Sequence, residues 1–133
     1  MKLLIVEDSK LVGERLHAYF AAALPALEIA VAEGAVTALA RFREQQPDIV
    51  ILDIQLPDGN GVEVLKSIRR ERPPTRMLMF SNHVFCRRQC AAAGADGFFD
   101  KASDFEALAM AVKTLANAAT HDTEKPSCPT GPR

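Results

Sequence analysis

Residues 48–65 read DIVILDIQLPDGNGVEVL. Within them Ile49, Val50, Ile51 and Leu52 form an apolar run without alternation that stops on Asp53. A strand with one wet face alternates, whereas a strand covered on both faces of a parallel sheet reads as a continuous apolar run. A loop follows, and then Val64, Leu65 and Ile68 make a helical stripe. The stretch is therefore a buried strand, a loop and a helix. Two further runs of the same kind lie at residues 3–6 and 77–80, with weaker strand candidates at 27–32 and 97–99.

Helical periodicity fills the gaps between these runs. Val12, Leu16, Tyr19, Phe20 and Ala23 share one face, and Ala35, Ala38, Leu39 and Phe42 share another. Residues 84–93 are helical but weakly patterned. Phe105, Leu108, Ala109, Val112, Leu115 and Ala116 repeat every 3.6 residues, with Ser103 and Glu106 reading as a capping box ahead of them. Pro47 closes the second helix and Pro73-Pro74 the third. Strand and helix thus alternate five times. Right-handed crossovers then give an α/β fold: a parallel five-stranded sheet with helices on both faces. Residues 1–119 are read as one domain, and 120–133, with three prolines, a glycine and no apolar period, as a flexible tail.

The 133 residues suit one domain with a real core. A hydrophobic share of 48% with 25% charged residues is globular composition. The formal net charge of −1 supplies no broad field to hold nucleic acid or an anionic membrane, so function is expected at a local site without direct nucleic-acid contact. Three cysteines and an N-terminus without a leader's apolar region suggest reduced thiols and a cytoplasmic location. No apolar stretch approaches the roughly 20 residues that span a bilayer, so no membrane insertion is expected.

Ligands of an open parallel sheet sit beyond the carboxyl ends of its strands. The first strand runs into Glu7 and Asp8, the third into Asp53, the fourth into Ser81, and Lys101 follows the fifth. Taken singly, each has a plain reading as a cap, a turn residue or a solvated charge. Together, at one edge, their chemistry is complementary. Crowded carboxylates are unfavourable unless a cation lies among them. An all-oxygen donor set with room for water and phosphate suits Mg²⁺. A lysine ammonium and a serine hydroxyl can stabilise charge on a transferring phosphoryl group whose acceptor is a carboxylate, Asp53.

The motifs VED at 6–8, DIVILDIQLPDGNGVEVL at 48–65, FSN at 80–82 and GADGFFDK at 94–101, in this order and spacing, resemble the receiver domain of two-component response regulators over about residues 2–118. The resemblance implies a flavodoxin-like (βα)5 three-layer sandwich with strand order 2-1-3-4-5. It implies that Asp53 takes a phosphoryl group from a sensor histidine kinase or phosphotransfer protein. Asp8, Asp53 and the backbone carbonyl of Gln55 would hold Mg²⁺, Glu7 would act through water, and Ser81 and Lys101 would contact the phosphoryl oxygens. Phe98 stands at the switch-aromatic position, and Pro57 and Gly59 shape the loop after the acceptor. The chain departs from the common pattern at Ala102, where many receivers carry proline, at Asn82, where alanine is frequent, and at Phe98, which lacks a tyrosine hydroxyl.

Of the remaining residues, Cys86 and Cys90 read as one surface and one core thiol, and Arg69, Arg70, Arg72 and Arg76 as a solvated rim. His83 is either a solvated loop histidine or a group that tunes water attack on a phosphorylated Asp53. Arg87 and Arg88 are either solvated or a partner contact, near an expected output surface of the fourth helix, fifth strand and last helix that could also form a homodimer. The leading expectation is a stand-alone receiver that acts on an unidentified output protein and catalyses only its own phosphorylation and dephosphorylation. The alternatives are the receiver part of a DNA-binding transcriptional regulator and a degenerate scaffold receiver. The segment after Ala118 is far shorter than the roughly 60 residues of a helix-turn-helix module. A haloacid-dehalogenase-type phosphatase wants a second aspartate where Gln55 stands.

Overall fold

The computed structural model describes the backbone of residues 1–124 and the side chains of residues 1–118. Five parallel strands form one sheet: β1 (Lys2–Val6), β2 (Glu28–Ala32), β3 (Ile49–Leu52), β4 (Arg76–Ser81) and β5 (Gly97–Asp100), in the order β2-β1-β3-β4-β5. The helices are α1 (Lys10–Ala23), α2 (Ala35–Gln45), α3 (Gly61–Glu71), α4 (Arg87–Ala92, led by a 3-10 turn at Val84–Cys86) and α5 (Phe105–Glu124). This is the expected flavodoxin-like order, 2-1-3-4-5. Among the described residues no helix is long and apolar enough to cross a membrane.

The continuous apolar runs have the expected cause. Successive strand side chains point to opposite faces, and both faces are covered. Leu4, Val6, Val50, Leu52, Met77 and Met79 pack toward α2, α3 and α4. Leu3, Ile5, Ile49, Ile51, Leu78 and Phe80 pack toward α1 and α5. Phe20 on α1, Ile68 on α3 and Val112 on α5 are fully buried, so each helical stripe faces the sheet. Ala23, expected on the α1 stripe, is exposed at that helix's last position. α2 ends at Gln45 ahead of Pro47, and α3 at Glu71 ahead of Pro73.

Other expectations need correction. The expected capping box at Ser103 is not formed. A turn on Asp100 takes up residues 101–103, the amides of Ser103 and Asp104 donate to the Asp100 carbonyl, and α5 starts one residue after Asp104. Ser103 Oγ bonds the Asp104 carboxylate instead. α5 also runs on to Glu124, past the boundary expected at 119, and the rest of the expected tail lies outside the described residues. Arg69 is no solvated rim residue: it donates to the carbonyls of Pro73, Thr75 and Gly94 and to Asp96, tying the end of α3 to the starts of β4 and β5.

Between β3 and α3 lies a two-residue hairpin, Gln55–Leu56 against Gly59–Asn60, which the apolar pattern did not disclose. Its base is held by Asn60, whose side chain caps α3 by accepting from the Val62 amide at 2.7 Å, and by the Gly61 amide on the Ile54 carbonyl at 2.6 Å. The chain closes so tightly here that a Cβ at Gly61 would stand 2.0 Å from the Asp53 carbonyl oxygen. Gly61→Ala must therefore push backbone away from backbone. We expect it to destabilise the fold by about 2–4 kcal/mol, read as a lowered urea midpoint; an unchanged midpoint would show that this junction yields freely.

Candidate functional site

The sheet ladder itself positions the chemistry. Beyond the last paired residues, the Glu7 amide donates to the Ala32 carbonyl at 2.9 Å, the Asp53 amide to Val6 at 3.1 Å and the Lys101 amide to Ser81 at 3.1 Å. Each strand thus carries one more residue in register, and these are the expected polar residues. The alternation of faces continues through them. Glu7 follows Val6, Asp53 follows Leu52 and Lys101 lies two past Phe99, so all three turn toward the α1 and α5 side.

Their side chains meet there. Lys101 Nζ lies 2.7 Å from Asp53 Oδ2 and 2.8 Å from Glu7 Oε1. The other Asp53 oxygen accepts from the Ile54 amide at 2.7 Å, and Glu7 Oε2 accepts from the Ser9 amide at 3.1 Å. Glu7 and Asp53 are buried, while Asp8 is exposed at the rim. One carboxylate oxygen from each of Glu7, Asp8 and Asp53 lies within 4.8 Å of the others. Burial pushes the Glu7 carboxyl above its usual range against the pull of Lys101 and the Ser9 amide. Burial also disfavours the Lys101 ammonium, but its hydrogen bonds to Asp53 and Glu7 win, and hold it above its ordinary value. An ammonium between two carboxylates is charge-compensated, and the acidic donor set suits a hard divalent cation.

Asp8, Asp53, Gln55, Asn82, His83 and Lys101 line an open cleft at this edge. Ser81 is fully buried behind it, and its Oγ accepts from the His83 amide at 3.1 Å. The side chain of Gln55, in the hairpin, crosses the cleft: Oε1 lies 2.8 Å from His83 Nε2. His83 is a half-buried loop histidine whose ring makes this exposed contact across the cleft. Phe98 is half-buried on the opposite face of the sheet from Lys101, with the Arg87 guanidinium 4.8 Å from its ring centroid and bonded to its carbonyl at 3.1 Å. The Lys101-Ala102 bond is trans, as are all peptide bonds among the described residues. Cys90 is the core thiol and Cys86 the partly exposed one, and Cys128 lies outside the described residues.

The sequence reading missed Asp58, whose carboxylate accepts from the amides of Ala35 and Val36 at 2.6 and 3.1 Å, and missed that Arg87 covers Phe98. The Pro57-Asp58-Gly59 turn composition was a signal for a tight turn at Asp58. Neither long-range partner has a signature in periodicity.

Residues 3–113 match the family described as response regulator receiver domain. The chain is 32% identical over 117 residues to the transcriptional activator protein ExaE of Pseudomonas putida, covering 86% of this chain and 55% of that protein. It is 33% identical over 118 residues to the DNA-binding transcriptional activator DevR/DosR of Mycobacterium tuberculosis, covering 86% and 54%. The chain thus spans about half the length of these curated relatives. Among solved structures, response regulator TrrA of Thermotoga maritima, in complex with Mg²⁺ and BeF, is 29% identical with a TM-score of 0.78, over 86% of this chain and 97% of that one. A CheY-like receiver domain of Methanospirillum hungatei shares the fold with a TM-score of 0.81 at 22% identity, over 91% and 97%. The strand order, the carboxylates and lysine at the sheet edge, and the match over residues 3–113 agree: the chain belongs to the response regulator receiver domain family.

Proposed function

We propose that this chain accepts a phosphoryl group on Asp53 from a phosphohistidine of a sensor histidine kinase or phosphotransfer protein. The observation that carries the reading is the cluster itself: oxygens of Glu7, Asp8 and Asp53 within 4.8 Å of one another, with Lys101 Nζ bonded to Asp53 and Glu7. An Asp53 oxygen attacks phosphorus, the P–N bond to the donor imidazole breaks as the P–O bond forms, and the imidazole leaves with its electron pair. Asp8, Asp53 and the Gln55 carbonyl are assigned to Mg²⁺, with Glu7 acting through water; the TrrA structure, whose description includes Mg²⁺ and BeF, supports this. Bound there, the metal supplies positive charge to the phosphoryl oxygens. Lys101 exchanges its carboxylate contacts for a phosphoryl oxygen, and Ser81 donates its hydroxyl to another. The chain is a phospho-accepting signalling domain rather than an enzyme with an external substrate, and catalyses only its own phosphorylation and dephosphorylation.

The output is proposed to pass to a protein partner, or into a homodimer, through the surface of α4, β5 and α5. A second reading has a specific support. The relatives named above are DNA-binding or transcriptional activators of which the match covers 55% and 54%, so the chain could serve as the receiver part of such a regulator. Size-exclusion chromatography with light scattering, with and without beryllofluoride, separates a dimerising receiver from a monomeric one.

The metal assignment is tested by heat. A ligand that binds only the folded state raises stability with its concentration. Melting temperature should climb with Mg²⁺ in the wild type and climb much less in Asp8→Ala. The same Asp8→Ala chain should gain phosphoryl groups from acetyl phosphate far more slowly, by intact mass. Equal thermal shifts in both proteins would place the metal elsewhere.

A further inference from the structure

Helix α2 begins without a cap of its own. Its N-cap residue is Gly34, which has no side chain to satisfy the first amides, and its first turn carries no acidic residue. Unsatisfied amides at a helix start are ordinarily met by a side-chain oxygen at the cap position. Here the oxygen comes from another loop. Both oxygens of Asp58, at the tip of the Gln55–Asn60 hairpin, are used: Oδ1 accepts from Ala35 at 2.6 Å and Oδ2 from Val36 at 3.1 Å. These bonds hold the Asp58 carboxyl below the usual carboxylate range.

The seat is built for close approach. A Cβ on Gly34 would stand 2.7 Å from Asp58 Oδ1, and a Cβ on Gly59 would stand 3.1 Å from that of Ala35. α2 is itself fixed to the core by Ala38 and Phe42. The hairpin is therefore anchored twice, at its base by Asn60 and Gly61 and at its tip by Asp58 on α2. Gln55 lies between the two anchors. A two-residue ladder is too short to be rigid alone. A backbone carbonyl, unlike a side-chain ligand, has no rotamer with which to find a metal, so its position is that of the hairpin.

We propose that Asp58 is a positioning residue for the metal site: by capping α2 from the tip of the acceptor hairpin, it holds the Gln55 carbonyl where Mg²⁺ is bound. The proposal rests on the metal assignment made above. Asp58 touches neither metal nor phosphoryl group; it removes the freedom the hairpin would otherwise lose on binding, and that loss would appear as weaker affinity.

The test is calorimetric titration of the full chain with Mg²⁺ alone, for the wild type, Asp58→Ala, Asp58→Asn, Gly34→Ala and Asp8→Ala. Groups that orient a metal ligand through a hydrogen bond change metal affinity by roughly tenfold or more, and that is the rise in Kd expected for Asp58→Ala. Gly34→Ala should weaken binding similarly, because its methyl group breaks the same contact without altering Asp58. Asparagine has one acceptor oxygen where Asp58 uses two, and its amino group cannot accept from the second amide, so Asp58→Asn should fall between the wild type and Asp58→Ala. Phosphorylation of Asp58→Ala by acetyl phosphate should recover at saturating Mg²⁺, which separates a lost position from a lost catalytic group. If Asp58→Ala and Gly34→Ala bind Mg²⁺ like the wild type while melting earlier, Asp58 is a helix cap and nothing more, and the proposal fails. If Asp8→Ala binds Mg²⁺ as well as the wild type does, the metal assignment itself has failed, and the Asp58 proposal falls with it.

Discussion

Asp53→Asn is expected to abolish phosphoryl incorporation while leaving the fold in place. The asparagine is nearly isosteric, and its side-chain oxygen can still accept from the Ile54 amide, as Asp53 does at 2.7 Å. Lys101 keeps Glu7 as an anionic partner at 2.8 Å. What disappears is the nucleophile, and no neighbour replaces it. Glu7 is buried and tied to Lys101 and the Ser9 amide, and Asp8 is exposed at the rim. Loss of a covalent nucleophile ordinarily costs a thousandfold or more in rate, on the order of 4 kcal/mol of barrier. Incubation with acetyl phosphate and Mg²⁺ followed by intact-mass measurement decides it. A phosphoryl group gained by Asp53→Asn at the wild-type rate would mean that the acceptor is another residue and that the central reading is wrong.

The parts of this molecule that were legible in its sequence are those where one local rule acts alone. Residues 49–52 and 77–80 could be read as buried strands because covering both sheet faces removes alternation. Asp53 and Lys101 could be placed at one edge because parallel strands all end on the same side. The illegible parts are those where two distant segments share a task. Ser103 looked like a cap because the sequence pattern fits, but Asp100 collects the amides of Ser103 and Asp104 and delays the helix. Arg69 looked solvated because arginine usually is; three carbonyls and Asp96 converge on it only once α3, β4 and β5 are assembled. Asp58 and Arg87 belong with these, since α2 and Phe98 lie 23 and 11 residues away along the chain. The weak patterning of 84–93 has its own cause: the segment begins as a 3-10 turn with Phe85 81% exposed, and only Cys90 is buried.

Beryllofluoride, a phosphoryl mimic, is expected to change amide shifts or hydrogen exchange around Ser81, Asn82 and Phe98 in the wild type, and to spread those changes into α4 and β5. A phosphoryl group on Asp53 adds charge and three acceptor oxygens. Ser81, now fully buried with its Oγ accepting from the His83 amide, must turn or move to donate to one of them. Ser81 lies two residues beyond Met79, and Met79 is paired with Phe98 across the ladder. Met79 and Phe98 pack on the same face of the sheet, so space released by Ser81 opens on the side where the Phe98 ring sits. The ring is held where it is by the Arg87 guanidinium at 4.8 Å, a contact worth about 0.5–1 kcal/mol near a surface. With no hydroxyl to bond in either place, the ring's position rests on packing and on this one cation. A modest gain from filling the space behind Ser81 is therefore enough to move it, and its departure would release Arg87 and uncover the surface of α4 and β5. Local electrostatics at Asp53 would then become a change of surface through one aromatic with two positions. Phe98→Ala removes that element, so its beryllofluoride response should stay in the loops around Asp53 and not reach α4. If the spread is the same in Phe98→Ala as in the wild type, or if the wild type itself shows changes only at the loops, Phe98 is a core filler and the signal leaves the site by another route.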